Sequence, residues 1–423
     1  MAKAEFDIIV QMYRKQRYGD CIKEVKSKLK KFPNSLHLLN YQAMAYSALK
    51  KDREALESYQ RIIKKDPSLS GPYYNRGIIL KRNGRLEEAI DNYKKAISLK
   101  PDYVQAFNNL GVLYKDNEKY DDAIKMFMKA KEIQPDHQNS YYNLALIKKE
   151  QGLSEQAIEL LLQLLNLNPE HTEAKFLSSI MNLKLGYFRE GWSYYEYRWK
   201  VSPGDKVIWP FQDKPVWKGE REKHVVLWKE QGIGDQVIFL SSMSEVRDMC
   251  ASLSVYVDPR LQPLCRRAMP EINFVKDIDE LKEVESDYHL PLGSVPGLIR
   301  NDITDFNRTV TGYLKADPQR VESIRHELNL NDKTVIGISW RSLSQTYKTK
   351  SIELRDMGRL FLGLDVVLIN LQYGDVNNEI EEFREETGIE VVQCSSVDNR
   401  EDLDGLAALI EVCDLVVSTS NVT

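Results

Sequence analysis

Asp235 stands directly behind a glycine-bracketed turn, Gly232-Ile233-Gly234, which follows the apolar run His224 to Trp228 and precedes a helical pattern. A carboxylate there can take a proton from a hydroxyl as a general base, or it can cap the helix by accepting its free amide protons. Further along, Arg341, Lys348 and Lys350 follow the strand-like run Thr334 to Ile338, interleaved with Ser342, Ser344, Thr346, Thr349 and Ser351. Cations and hydroxyls gathered behind a strand can neutralise a diphosphate without a metal; a charged, solvated loop has the same composition. Asn75, Asn109 and Asn143 recur at a 34-residue spacing. Each amide offers a donor and an acceptor that can grip an extended peptide backbone without reading its sequence, and the same group serves equally for helix-helix hydrogen bonds or solvated positions. No metal chemistry is indicated. His224, His289 and His326 are isolated, and Asp277-Ile278-Asp279 sits in an acidic stretch that reads as surface.

The elements that must position these residues fall into two periods. Pro33, Pro67, Pro101, Pro135, Pro169 and Pro203 are each 34 residues apart, although the chain holds only 15 prolines. Twelve residues before each lies a small or thiol residue (Cys21, Ala55, Ala89, Ala123, Ala157, Gly191), where two helices can touch closely. Turns such as Asn83-Gly84 and Gln151-Gly152 separate the helices of a pair, and proline ends the second. One amphipathic pair cannot bury its apolar face, so the pairs stack, and Tyr59, Tyr93 and Phe127 are expected in the core. After Pro203 the pattern changes to short apolar runs alternating with helices: His224 to Trp228, Leu253 to Val257, Asn273 to Val275, Thr334 to Ile338, Val366 to Leu371, Glu390 to Val392 and Leu415 to Val417. That alternation predicts parallel sheets covered on both faces.

The unit Phe107-x-x-Leu110-Gly111-x-x-Tyr114, Ala123-x-x-x-Phe127, Ala130 and Pro135 matches the tetratricopeptide repeat position by position, and the resemblance runs from about residue 36 to 171. The asparagine row resembles the ladder lining the groove of O-linked N-acetylglucosamine transferases, which implies a protein or peptide partner. In the second half, Glu230-Gln231-Gly232-Ile233-Gly234-Asp235, Pro291-Leu292-Gly293-Ser294-Val295-Pro296, Gly337-Ile338-Ser339-Trp340-Arg341-Ser342, Lys350-Ser351-Ile352 and Asn370-Leu371-Gln372-Tyr373-Gly374 occur in order. That order resembles tetratricopeptide proteins with a heptosyltransferase-like (GT-B, family 9-like) glycosyltransferase domain. The resemblance implies an inverting, metal-independent transfer of a sugar from a nucleotide-diphosphate donor to a hydroxyl, with no cofactor. Asp235 would be the base; Arg341, Lys348, Lys350, Ser351 and Gln372 would bind the donor. Ser420-Asn421 stands where relatives show Asp-Thr at the expected ribose or sugar contact, and the chain stops there, so the second Rossmann-like domain is expected to be incomplete.

The expected architecture is therefore an α solenoid over residues 1–205, a first Rossmann-like α/β domain over 206–315 on the acceptor side, and a shortened second one over 316–423 on the nucleotide-sugar side. The expected function is a glycosyltransferase whose acceptor is held by the repeats; the alternative is a non-catalytic protein-protein interaction scaffold with an inert α/β part. A formal charge of -4 removes any global basic field for nucleic acid. Five scattered cysteines without a C-x-x-C pair point to a reducing, cytoplasmic compartment rather than a disulfide framework. Uncharged runs fall short of a membrane span throughout.

Overall fold

A computed structural model describes residues 3–201, 209–308, 312–330, 333–342 and 351–419. The chain divides into two compact units, Met1–Leu185 and Gly186–Thr423. The first is a stack of helix pairs: α1 (Lys3–Arg14) with α2 (Tyr18–Lys31), α3 (Leu36–Ala48) with α4 (Asp52–Lys65), α5 (Ser70–Arg82) with α6 (Leu86–Leu99), α7 (Val104–Asp116) with α8 (Tyr120–Ile133), and α9 (Gln138–Glu150) with α10 (Ser154–Leu167), closed by α11 (Thr172–Leu185). Small residues set how closely a pair packs. A Cβ added to Gly77 would lie 2.6 Å from the Tyr93 ring, and one added to Gly111 2.7 Å from Phe127, so only glycine admits the aromatic of the second helix. Tyr59, Tyr93 and Phe127 are buried, as expected of packing residues.

The turn inside each pair is stricter than its sequence suggests. Gln16, Lys50, Gly84, Glu118, Gly152 and Gly186 all have positive φ, from 55° to 81°. Sequence reading recognised only the Gly84 and Gly152 turns, because the other repeats meet the same backbone requirement with residues that do not announce it.

The second unit carries two four-stranded sheets in which every neighbouring pair is parallel. The first, β1 (His224–Trp228), β2 (Ser252–Tyr256), β3 (Asn273–Phe274) and β4 (Tyr288–Pro291), has the order β3-β2-β1-β4. The second, β5 (Thr334–Ser339), β6 (Val366–Asn370), β7 (Val391–Val392) and β8 (Leu415–Ser418), has the order β7-β6-β5-β8. Apart from their first residues, β1 and β5 are buried throughout, as a central parallel strand covered on both faces must be. Strand order reverses beside β1 and again beside β5, and such reversals open a crevice at the C-terminal strand ends. One apolar core spans both sheets, including Val225 and Leu253 of the first, Val335 and Ile369 of the second, and Leu406 and Leu409 from the helix Leu403–Glu411.

Several expectations need correction. The unit boundary falls at 185/186 instead of 205, placing α12 (Phe188–Tyr195) and α13 (Arg198–Val201) in the second unit. Strand β4 was not foreseen, because its apolar stretch is only Tyr288 to Pro291 behind an acidic run. The helical pattern that follows Asp235 in the sequence resolves into two helices, α14 (Ile233–Leu240) and the short helix Met243–Arg247.

The repeated left-handed turn makes a direct prediction. Lys50→Gly and Glu118→Gly should each raise unit stability by about 0.5–1 kcal/mol, and Gly84→Ala should lower it by about 1 kcal/mol, because a Cβ is strained at positive φ. Urea unfolding with unchanged slope measures both signs.

Candidate functional site

Asn75, Asn109 and Asn143 lie half-buried on the first helices α5, α7 and α9. They are joined from repeat to repeat. Asn75 is hydrogen-bonded to the Tyr59 hydroxyl of α4. Asn109 Nδ2 donates to the Tyr74 hydroxyl at 3.2 Å, and Asn143 Nδ2 donates to Asn108 Oδ1 at 3.3 Å. Of the two uses open to these amides, the helix-helix bond is the one present. It fixes each carboxamide in orientation while leaving it accessible, which is the condition for an ordered row of donors and acceptors on this face.

Asp235 is the third residue of α14 and is exposed; Gly232 occupies the cap position with an extended backbone. The capping role considered for Asp235 therefore falls to the glycine, and the carboxylate is left in the first turn, where the helix dipole favours its charge. Neither Gly232 nor Gly234 has a positive φ, and a Cβ added to Gly232 would meet only the Asp235 carboxylate at 3.4 Å, so handedness does not require glycine here.

Sequence reading missed the polar cluster that holds this loop. The Glu230 carboxylate, at the C-terminal end of β1, accepts from Arg198 Nη2 at 2.8 Å and Nε at 3.0 Å, with side-chain exposures of 3% and 7%. Arg198 also donates to Ser294 Oγ at 2.7 Å and Glu196 Oε1 at 2.8 Å, while Gln231 Nε2 donates to the Tyr195 hydroxyl at 2.9 Å. Burial works against the Arg198 charge, and the bonds to Glu230 outweigh it, raising the guanidinium above its ordinary value. Gly293 is required beside it, since a Cβ there would collide with Glu230. A glutamate two residues beyond a five-residue apolar strand, with an arginine inside an aromatic run, was the available signal.

Around this cluster Trp199, Trp209 and Trp228 pack in tilted and edge-to-face contacts at 5.4 to 5.8 Å, with His289 and Phe211 completing the group. Trp228 Nε1 donates to His289 Nδ1 at 3.1 Å, so the neutral ring carries its proton on Nε2. Burial pushes the His289 imidazole below its ordinary value. His289 is thus a core histidine, as its isolation in the sequence suggested.

At the second sheet, the candidate donor residues are partly described. Lys348, Lys350, Ser420 and Asn421 lie outside the described residues. Arg341 pairs with Glu379 at 2.8 Å and donates to the Asp375 carbonyl at 3.0 Å, while its Nε is buried with no hydrogen-bond partner among the described residues. Ser351 Oγ accepts from the Ser342 amide at 3.1 Å. Gln372 is buried, and its Oε1 accepts from Ser339 Oγ and the amides of Trp340 and Arg341 at 2.9 to 3.1 Å. That carboxamide holds the end of β5 in place. Beside it, a polar cavity of about 650 Å³ opens past the C-terminal ends of β6 and β7, lined by Asn370, Tyr373, Gln393, Ser395, Asp398 and Asn399 among others. Glu327 closes one side of the lining loop, accepting from the Ser395 amide and hydroxyl at 2.9 and 2.8 Å. Among the described residues no group of three His, Cys, Asp or Glu could hold a metal ion, and no helix is long and apolar enough to cross a membrane.

Comparison with known proteins agrees with the repeat geometry. Tetratricopeptide repeat models match residues 41–68, 58–91 and 102–170, and a further TPR repeat model matches 79–118. The first unit is therefore a tetratricopeptide-repeat solenoid, followed in the chain by a region of small parallel sheets. The protein FlbA of Caulobacter vibrioides is 29% identical over 280 residues, covering 59% of this chain and 45% of that protein, so the chain spans less than half of that relative's length. Among solved structures, MamA is 24% identical with a TM-score of 0.37, covering 39% of this chain and 97% of its own. PilW, a type IV pilus biogenesis factor, is 19% identical with a TM-score of 0.42, covering 48% and 94%. YrrB, described as a TPR protein with an unusual peptide-binding site, is 16% identical with a TM-score of 0.36, covering 41% and 90%.

Two predictions follow from the second unit. Glu230→Ala removes the more deeply buried of the two carboxylates that pair with Arg198 and should destabilise this unit by up to about 3 kcal/mol in denaturant unfolding. His289 should titrate below its unfolded value of about 6.5 in an NMR pH series. Because the unfolded chain then binds the proton first, stability is full above that value and falls as pH drops below it, so the melting temperature should decrease from neutral pH toward pH ~5.

Proposed function

We propose that the protein is an interaction module whose repeats hold an extended polypeptide along their first helices. The observation that supports this most directly is the row Asn75, Asn109 and Asn143, half-buried, in register and pre-oriented by bonds to the neighbouring repeat. A side-chain amide pairs with a peptide backbone as another backbone would, which gives affinity with little sequence preference. YrrB's description as a peptide-binding repeat protein is consistent with this reading.

A second reading concerns the α/β unit, favoured by the exposed Asp235 beyond β1 and the polar cavity beyond β6 and β7. In it the two sheets are the halves of a GT-B glycosyltransferase. Asp235 takes the proton from an acceptor hydroxyl, and the cavity side takes a nucleotide-diphosphate sugar, with Arg341, Ser351 and Gln372 beside it. The buried cluster of Arg198, Glu230 and Ser294 then acts as positioning machinery for the loop that carries Asp235. Transfer onto a protein held by the repeats would unite the two readings.

The triple variant Asn75→Ala, Asn109→Ala, Asn143→Ala should weaken binding of an extended peptide by about tenfold or more at unchanged helix content, read by calorimetry. Unchanged affinity removes the row from the binding face. For the second reading, calorimetry with a panel of nucleoside diphosphates is the first test. In any protein that turns over, Asp235→Asn should lower kcat by roughly 10²- to 10⁴-fold with little loss of stability; near-normal turnover assigns the base elsewhere.

A further inference from the structure

The asparagine row has two companions on the same helices. Three residues after each asparagine stand Ile78, Val112 and Leu146, and three further on stand Lys81, Lys115 and Lys149. Steps of three along a helix keep residues on neighbouring faces. The flanking residues confirm which face this is: Gly77, Ile79, Gly111, Leu113, Ala145 and Ile147 are buried, whereas Ile78 is 37% exposed and Val112 and Leu146 are half-buried. The apolar row is thus only partly covered: Val112 packs in part against the Ala123 and Phe127 cluster, whereas Ile78 and, further along, Ile180 are each 37% exposed.

The lysine row faces outward beside it, with side-chain exposures of 36%, 24% and 41% in chain order. Lys81 and Lys115 share a single acid, Asp116, at 3.6 and 3.0 Å, and Lys149 has its neighbour Glu150 at 3.2 Å. Three cations therefore face two acids, and exposed pairs of this kind exchange at little cost. A lysine near a helix C-terminus also suits the dipole, but that effect asks only for a cation in the last turn and not for one helical position in three successive repeats.

Building on the polypeptide-binding reading above, we infer that the partner is an acidic segment carrying a carboxylate at about every third residue with apolar residues between. First helices of successive repeats are adjacent, as the bonds from Asn109 to Tyr74 and from Asn143 to Asn108 show. Packed helices stand about 8–10 Å apart, and a chain in the threefold polyproline II form advances about 3.1 Å per residue and returns every third side chain to the same face, so each repeat meets roughly three residues of the partner. Within each such step the amide row takes the backbone, the apolar row takes a side chain and the lysine takes a carboxylate. Charge complementarity and spacing together select the occupant.

The test uses the whole chain and three fluorescent peptides of about twelve residues, the length that spans four repeats. One carries Glu at every third position among Val and Ala, one carries Lys at those positions, and one has the same glutamates clustered at one end. At low salt the spaced Glu peptide should bind about tenfold more tightly than either other peptide, and the advantage should shrink as salt rises. Reversing the row with Lys81→Glu, Lys115→Glu and Lys149→Glu should invert the order of the Glu and Lys peptides. The milder Lys→Gln triple should bind both alike, which keeps the test available if the reversal disturbs folding. Equal binding of all three peptides by the wild-type chain, lost in the Asn→Ala triple, overturns this inference and leaves the peptide-binding reading intact. Failure of every peptide to bind overturns both.

Discussion

The helix pairs of the first unit depend on one steric condition: two helices cross closely only where one of them carries a small side chain or none. Gly77 against Tyr93 and Gly111 against Phe127 meet it directly, with no room for even a Cβ. The aromatic that fills the gap is buried, and its hydroxyl or its neighbour then anchors the asparagine of the next repeat, as Tyr59 does for Asn75. Packing within a pair and the chemistry displayed on the face are therefore coupled. A solenoid that lost the close crossing would lose the register of its three surface rows as well, because nearest-neighbour contacts are all that hold a repeat array in order.

The second unit rests on a different arrangement. Its strands are short, and β3 and β7 have only two residues each, so hydrogen bonding alone defines little. The shared apolar core and the buried Arg198-Glu230 pair give it definition. A buried ion pair contributes less to net stability than its Coulomb energy suggests, but it penalises every alternative packing that leaves one charge alone. In this chain it fixes Glu230 and Gln231 against the turn at Gly293 and Ser294 and against Tyr195 at the end of α12.

Much of this was legible in the sequence, for identifiable reasons. The 34-residue proline register and the small residues twelve positions earlier survive in sequence because sterics admit few substitutes there. Most strands were found within a residue or two, since central parallel strands read as continuous apolar runs. Strand β4 was not, because it is only four residues long and directly follows an acidic stretch, and the left-handed turns at Gln16, Lys50 and Glu118 were hidden by ordinary side chains. At the candidate site, residue type and position were readable, but partnership was not. Glycine at 232 displaces Asp235 from the cap, and Gln372 is committed to the end of β5, facts that depend on three-dimensional neighbours. The Arg198 cluster joins residues 32 and 96 positions apart, beyond the reach of any local pattern.

The central claim is that the first helices of the repeats form one continuous polypeptide-binding face. Side-chain amide NMR resonances report on it residue by residue. On titration with an extended acidic peptide, the amides of Asn75, Asn109 and Asn143 should shift together along a single binding curve, while Asn92 on the second helix α6 stays in place. Shifts confined to second-helix residues, or different curves for the three asparagines, contradict a single continuous face.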